Sequence, residues 1–164
     1  MKKLLALDPG KTTGMSIWGY SDSTPLTHIM HGQIAGGLDG FLEYFYARGV
    51  AAPFDVIVSE SFVLDGRTPN PDVTPLRIEG VLQAHAHRYG TLVRFQRNNF
   101  KAHVTNDFLK RNSLYWAGEP HAMDSARHAL AYMKVSRHFP TLKYYFNDVD
   151  DRLEVPQIKM EKNE

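Results

Sequence analysis

Short apolar runs that end in single acidic residues dominate the pattern of this chain. Residues 4–7 are all apolar, as in a strand buried on both faces, and Asp8-Pro9-Gly10 ends the run. Residues 15–18 resume an extended pattern, so the two segments predict a β-hairpin with Asp8 beside its turn. A carboxylate near the middle of a sheet needs a positive partner, and a metal ion would supply one.

The same design recurs further along the chain. Residues 26–34 predict a third strand, and residues 38–50 carry apolar positions at the spacing of a buried helical stripe. Pro53 ends that helix, and residues 54–58 form a fourth apolar strand that runs into Ser59 and Glu60. A loop rich in Gly, Pro, Asn and Asp follows over residues 64–72.

The second half of the chain predicts two longer helices. Residues 73–89 form one helix, which Gly90 ends, and residues 91–95 form a fifth strand. The last helix covers residues 121–138 and is preceded by Pro120. A helical crossover from the three-stranded meander to a parallel fourth strand gives an α/β fold, a five-stranded mixed sheet flanked by helices. Residues 1–140 form one domain, and residues 141–164 form a charged arm or tail.

The composition of the chain limits its size class, its location and the metal ligands that it can offer. The chain has 164 residues, of which 43% are hydrophobic, and this is sufficient for one domain with a real core. No apolar stretch predicts a membrane span or a signal peptide, so we expect a cytoplasmic protein. Cysteine is absent, so a bound metal would need oxygen and imidazole ligands. The net charge is only +1, but residues 94–111 hold five Lys and Arg against Asp107 alone.

Three acidic residues that are far apart in sequence are expected to meet. Parallel pairing of the first and fourth strands would make Asp8 and Glu60 neighbours. The last helix can lay its first turn over both strand ends, where His121 and Asp124 share a face at i, i+3 spacing. Crowded carboxylates repel, and an oxygen-rich site favours Mg²⁺ or Mn²⁺. Two ions about 4 Å apart would suit phosphodiester hydrolysis.

These motifs resemble a known family. The D-P-G-x-x-T-G turn at residues 8–14, S-E-S at residues 59–61 and H-x-x-D-x-A at residues 121–126 are similar to the RuvC family of Holliday-junction resolvases, in the ribonuclease-H-like superfamily. The resemblance implies a homodimeric endonuclease that symmetrically nicks two opposing strands of a four-way DNA junction. It also implies two Mg²⁺ ions per active site, for which Mn²⁺ can substitute. The positions that match the family's metal ligands are Asp8, Glu60, His121 and Asp124.

Some features depart from the family. The turn after Asp8 is one residue shorter than in the bacterial enzymes, and His121 stands where many members have aspartate. A compact, divergent member would look like this, such as a phage protein that acts in the host cytoplasm.

The resemblance also implies roles outside the metal site. It implies that residues 73–89 form the helix of the dimer contact and that the loop after Glu60 reaches the centre of the junction. Lys101 is the best candidate to approach the scissile phosphate as a catalytic residue. The predicted DNA contacts are Phe62, Arg67, Lys101, Lys110 and Arg111.

Each residue also has a simpler interpretation. Asp8 could serve simply to start a turn, and Glu60 could be a solvated residue at a strand end. Asp124 could be present because the helix dipole favours an acidic residue near the N-terminus of a helix. Phe62 could pack as an ordinary aromatic residue. His128 lies one turn beyond Asp124, and we assign it a supporting or surface position outside the metal site.

Three other functions compete with junction resolution. The same fold could cleave flaps, forks or structured RNA, and a non-catalytic module could bind branched DNA without cleaving it. The D-x-G-x-T at residues 8–12 also resembles the phosphate loop of actin-like ATPases and sugar kinases. Such proteins need a duplicated domain, and a chain of 164 residues holds only one sheet.

Overall fold

A mixed five-stranded sheet forms the centre of the structure, a computed structural model that describes residues 1–47, 54–64, 66 and 69–147. The strand order is β3-β2-β1-β4-β5. The first three strands run antiparallel as a meander, and β4 and β5 run parallel to β1. The predicted α/β class with a five-stranded mixed sheet is therefore confirmed. The strands are β1 (Lys2–Asp8), β2 (Thr12–Tyr20), β3 (Thr27–Ala35), β4 (Val56–Glu60) and β5 (Leu92–Gln96).

The pairing of β1 explains why two acidic residues meet at one edge of the sheet. In the parallel ladder Leu7 pairs with Ser59, so Asp8 and Glu60 are the next residues of adjacent strands. On the other side Asp8 pairs with Gly14 of the antiparallel β2. The predicted adjacency of the two strand ends is confirmed.

Helices cover both faces of the sheet. A single turn of π-helix at Glu43–Ala47 extends α1, and another at Leu142–Phe146 extends α5. A 3₁₀ helix, Asn98–His103, lies between β5 and α3. The α-helices are α1 (Gly37–Leu42), α2 (Thr74–Tyr89), α3 (Asn106–Arg111), α4 (Pro120–Val135) and α5 (Phe139–Thr141).

The alternation of side chains along β1 divides the core into two layers. Leu5 and Leu7 face a cluster that includes Phe41 and Phe45 near α1 and Leu82 of α2. The second layer of the core lies on the opposite face of the sheet, where β1 packs against α3 and α4. Its members include Leu4, Ala6, Trp18, Phe108, Ala126, Ala129 and Leu130. β1 is buried on both faces, as its uninterrupted apolar run predicted.

The predicted helices differ from the observed ones at several ends. α4 stops at Val135 rather than at residue 138, because Arg137 adopts a left-handed backbone with φ of 53°. The 3₁₀ helix and α3 were not predicted. Residues 48–50 of the predicted first helix, and Pro53 after it, lie outside the described residues.

The segment after α4 packs against the domain. The Thr141 hydroxyl accepts a hydrogen bond from the Leu26 backbone N–H at 2.8 Å, and the Tyr145 hydroxyl donates to the Leu26 carbonyl at 2.9 Å. Residues 141–146, which we assigned to the arm, are thus joined to the domain. The rest of the predicted arm, residues 148–164, lies outside the described residues, so the division of the chain stays a prediction.

Within the described part of the chain, no helix has the length and apolarity needed to cross a membrane. The expected cytoplasmic location stays a prediction.

Candidate active site

The structure brings five of the predicted functional side chains into one neighbourhood. Asp8 ends β1, Glu60 ends β4, and His121 and Asp124 lie in the first turns of α4. Lys101 reaches the same place from the 3₁₀ helix. Its Nζ lies 2.8 Å from Glu60 Oε2 and 2.8 Å from Asp124 Oδ2. The Nδ1 of His121 lies 2.9 Å from Asp8 Oδ2.

A glycine allows α4 to approach the sheet at this point. A Cβ built at Gly14 would lie 1.9 Å from the backbone oxygen of His121 and 2.7 Å from the backbone nitrogen of Ala122. No larger residue fits there without moving the helix. Because Gly14 pairs with Asp8, this close approach places the first turn of α4 beside the carboxylate.

A side chain from the edge strand β3 caps the same helix. Glu119, the residue before α4, makes no side-chain capping hydrogen bond. Instead the Gln33 side-chain oxygen accepts a hydrogen bond from the His121 backbone N–H at 3.0 Å. This bond satisfies one of the free N–H groups that every helix leaves at its N-terminus. Three strands and one helix therefore fix the position of His121.

Lys101 is the cation that Glu60 and Asp124 share. Burial would lower the pKa of Lys101, but hydrogen bonds to both carboxylates raise it above its ordinary value. Burial would likewise raise the pKa of Glu60, but hydrogen bonds from His128 and Lys101 lower it to about 2. Arg127 also donates to Asp124, and its Nε donates to the Val104 carbonyl at 2.8 Å. Glu60 and Asp124 are thus well compensated.

Asp8 is the carboxylate without such compensation. Burial raises its pKa to about 6, and the negative charges of Glu60 and Asp124 add to the shift. The hydrogen bond from His121 and the charge of Lys101 oppose the shift without cancelling it. Two permanent cations, Lys101 and Arg127, therefore stand against three carboxylates. The site can therefore accept further positive charge, and the carboxylate of Asp8 is the group that lacks a cation.

The side chains do not form a finished metal cage. Across residues 1–47, 54–64, 66 and 69–147, no group of three or more His, Asp or Glu side chains is arranged to hold a metal ion. Lys101 Nζ occupies the place between Glu60 and Asp124. The four predicted ligands are neighbours, but their role as metal ligands stays a prediction.

Three supporting residues were missed or underrated. Arg127 follows Asp124 at i+3, a spacing that could have suggested the ion pair. His128 is fully buried, and its Nε2 lies 2.9 Å from Glu60 Oε2. Gln96 pairs with Glu60 in the β4–β5 ladder and contacts His128. The end of β5 thus lies at the same edge of the sheet as the other two strand ends.

The predicted DNA contacts are dispersed. Phe62 is half-buried, and its backbone N–H donates to the Glu79 side chain. Lys110 and Arg111 are the last two residues of α3. Lys110 Nζ lies 5.0 Å from the ring centre of Tyr115, and Arg111 is exposed. Arg67 lies outside the described residues. Among the four predicted DNA contacts that the structure describes, only Lys101 joins the acidic cluster, and all five stay predictions.

Comparison with solved structures identifies the fold. No protein-family model and no curated protein matches the sequence. RuvC of Thermus thermophilus, solved in complex with a Holliday junction substrate, superposes with a TM-score of 0.62 and 13% identity, over 85% of this chain and 98% of that chain. The fowlpox virus Holliday junction resolvase gives a TM-score of 0.60 and 14% identity, over 82% and 99% of the two chains.

A third comparison agrees with these two. The fowlpox virus resolvase in complex with its substrate Holliday junction DNA gives a TM-score of 0.58 and 17% identity, over 80% of this chain and 99% of that chain. The chain therefore has the ribonuclease-H-like fold of the RuvC-type resolvases, and the resemblance seen in its motifs is confirmed at the level of the fold.

The contact between Gly14 and α4 can be tested by substitution. We expect Gly14→Ala to lower the free energy of unfolding by about 1–3 kcal/mol, because the added methyl group must displace backbone atoms. Gly32→Ala is the matched control, since a Cβ there meets only the Met15 sulfur, at 3.9 Å. Chemical denaturation of both variants measures the difference, and equal stability of the two would contradict the predicted close approach.

The burial of Asp8 predicts an unusual pH dependence. Its pKa is raised from 3.8 to about 6, so the folded state binds the proton more tightly, and stability falls as pH rises through about 6. In metal-free protein, Asp8→Asn should therefore be more stable than wild type at pH 8, by about 2 kcal/mol. The gain should shrink below about pH 6 and vanish below about pH 4. Urea titrations across this range measure it.

Asp107→Asn at an exposed site is the control for this series, and its stability should follow wild type across the range. If Asp8→Asn gains no stability at high pH, Asp8 is not the uncompensated charge.

Proposed function

We propose that this protein is a metal-dependent endonuclease that resolves four-way DNA junctions by paired, symmetric hydrolysis of phosphodiester bonds. One observation carries the proposal: Asp8, Glu60 and Asp124 meet at the edge of a sheet whose fold is shared with resolvases. Fold alone does not determine activity, so the argument depends on the residues at this edge.

The residues fit Mg²⁺ or Mn²⁺. Three carboxylates and one imidazole form an oxygen-rich donor set, which hard divalent cations prefer. The uncompensated Asp8 and the shared ammonium between Glu60 and Asp124 both mark places where positive charge is favourable. We infer that Asp8, Glu60, His121 and Asp124 hold two such ions. The chemistry that such ions would supply there is activation of a water molecule and stabilisation of the leaving oxygen.

Lys101 has two roles in this proposal. Without metal, it keeps Glu60 and Asp124 together by donating to both. On metal binding it would release them, since a cation and an ammonium group compete for the same oxygens. Its ammonium group then remains at the site and can stabilise the charge that develops on the phosphate. His121 holds Asp8 through the bond to Oδ2 and is kept in place by Gln33.

A cleft beside the acidic cluster could receive the DNA. It has a volume of about 700 Å³, and its lining includes Pro9, Lys11, Phe62 and His121. The next two side chains after Phe62 are the exposed Val63 and Leu64. Apolar side chains at such a place can insert between unstacked bases, as wedges do in other DNA-binding proteins. We propose that Phe62 and this loop approach the centre of the junction.

Symmetric cleavage needs two active sites, and α2 offers a surface for a second copy. Gly80 lies on the solvent side of α2, where a Cβ would meet nothing within 4 Å. Leu76, one turn earlier, is 43% exposed. Ala84, one turn later, is also exposed. An apolar ridge with small residues allows two helices to approach closely, so we propose a homodimer through this face.

Cleavage of defined substrates tests the function. In Mg²⁺ we expect paired, symmetric, ligatable nicks in mobile and fixed four-way junctions, and much slower cleavage of flaps, forks and RNA–DNA hybrids. Asp124→Asn should lower the cleavage rate by about 10²-fold or more, because it removes a proposed ligand of the catalytic ions. Asp107→Asn should cleave at the wild-type rate. Mapping the nicks on labelled strands measures both effects.

Two outcomes would replace the proposal with another. Equal rates on flaps and forks would make the protein a general branched-DNA nuclease. Tight junction binding without cleavage in Mg²⁺ or Mn²⁺ would make it a non-catalytic binding module.

The dimer has its own test. Gly80→Arg should convert the dimer to a monomer, because a long charged side chain would occupy the proposed contact. The fold should persist, since Arg has a higher helix propensity than Gly. Gly80→Ala is the control and should remain dimeric. Light scattering gives the masses, and identical masses for wild type and Gly80→Arg would exclude this face as the dimer contact.

A further inference from the structure

A buried chain of hydrogen bonds lies behind the acidic cluster. His128 of α4 is fully buried, and Gln96 at the end of β5 is 5% exposed. The Nδ1 of His128 lies 2.9 Å from the side-chain amide of Gln96, and its Nε2 lies 2.9 Å from Glu60 Oε2. One imidazole ring thus connects the ends of β4 and β5 from within the core.

The surroundings of Gln96 decide which nitrogen of His128 carries the proton. With its NH₂ group towards the ring, the amide donates to Nδ1 at 2.9 Å and to the His128 carbonyl at 3.2 Å. Its oxygen then accepts from the Tyr132 backbone N–H, also at 3.2 Å. The opposite orientation leaves the amide oxygen facing acceptors and its nitrogen facing a donor. Nδ1 is therefore the acceptor, and Nε2 carries the hydrogen that is donated to Glu60.

His128 and Lys101 hold Glu60 in different ways. Both donate to the same oxygen, Oε2. Lys101 approaches from a short 3₁₀ helix on a long flexible side chain, and it also serves Asp124. His128 is fully buried on α4, and both of its ring nitrogens have partners at the strand ends. If Lys101 were displaced from the carboxylate, His128 could still donate to Oε2.

We propose that His128, oriented by Gln96, is a positioning residue that fixes the rotamer of Glu60 and leaves Oε1 available for a divalent cation. This inference rests on the proposed function, because it gives Glu60 a cation to bind. Hydrogen-bonded partners of this kind orient a metal ligand, and their loss commonly costs 10–100-fold in metal affinity.

Two substitutions separate the hydrogen bond from simple packing. In His128→Gln, the side-chain amide nitrogen can reach the place of Nε2 and still donate to Glu60. In His128→Asn, the shorter amide reaches only the place of Nδ1, so Gln96 keeps a partner and Glu60 loses one. Both variants bury a neutral amide in place of the ring, and thermal unfolding checks that each one folds.

Metal affinity is the first measurement. Isothermal titration of the full chain with Mn²⁺ should give His128→Gln an affinity within about threefold of wild type, and His128→Asn an affinity about tenfold weaker or worse. Equal losses in the two variants would overturn the proposal, because His128 would then act only by filling space. Unchanged affinity in His128→Asn would also overturn it.

The position of the proton is the second measurement, and it needs neither metal nor activity. Long-range nitrogen–proton NMR correlations of metal-free wild type, with isotope-labelled histidine, should show His128 protonated on Nε2 and unprotonated on Nδ1. A proton on Nδ1 would overturn the proposal even if neither variant can be purified in folded form. If wild type binds no Mn²⁺, the proposed function fails, while this spectrum still decides whether Gln96 and His128 are arranged as inferred.

Discussion

The ammonium group of Lys101 lies between two carboxylates that come from different elements, Glu60 of β4 and Asp124 of α4. It therefore joins the sheet to the helix at the point where the negative charges of the site are most crowded. The compensation is uneven, because burial leaves the pKa of Asp8 near 6, whereas hydrogen bonds hold that of Glu60 near 2. The negative charge is therefore compensated on the side of the cluster where Lys101 lies and uncompensated on the side of Asp8.

Much of this arrangement could be predicted from the sequence. The apolar run before Asp8 and the similar run before Glu60 indicate buried strands, and buried parallel strands in this order must place their ends together. The spacing of His121 and Asp124 identifies one face of a helix. These inferences depend on local patterns and on connection rules that few sequences violate.

Other parts of the site have no local signal. The pairing of Gln96 with Glu60 depends on the register between β4 and β5, which a sequence of five apolar and polar residues does not determine. The role of Gly14 is visible only once α4 has been placed against β2. The spacing of His128 from Asp124 fits a surface histidine as well as a supporting one, and only the contacts of its two ring nitrogens distinguish the two. Tertiary contacts between distant segments decide all three.

The cap that Gln33 gives to α4 links the site to an edge strand of the sheet. β3 lies at one outer edge and, among the strands that the structure describes, pairs only with β2. Edge strands open more readily than central ones, through local fluctuations that leave the rest of the fold intact. Local opening of β3 would remove the bond to the His121 backbone N–H. The order of the first turn of α4 therefore depends on one edge strand as well as on its contact with Gly14 in the interior of the sheet.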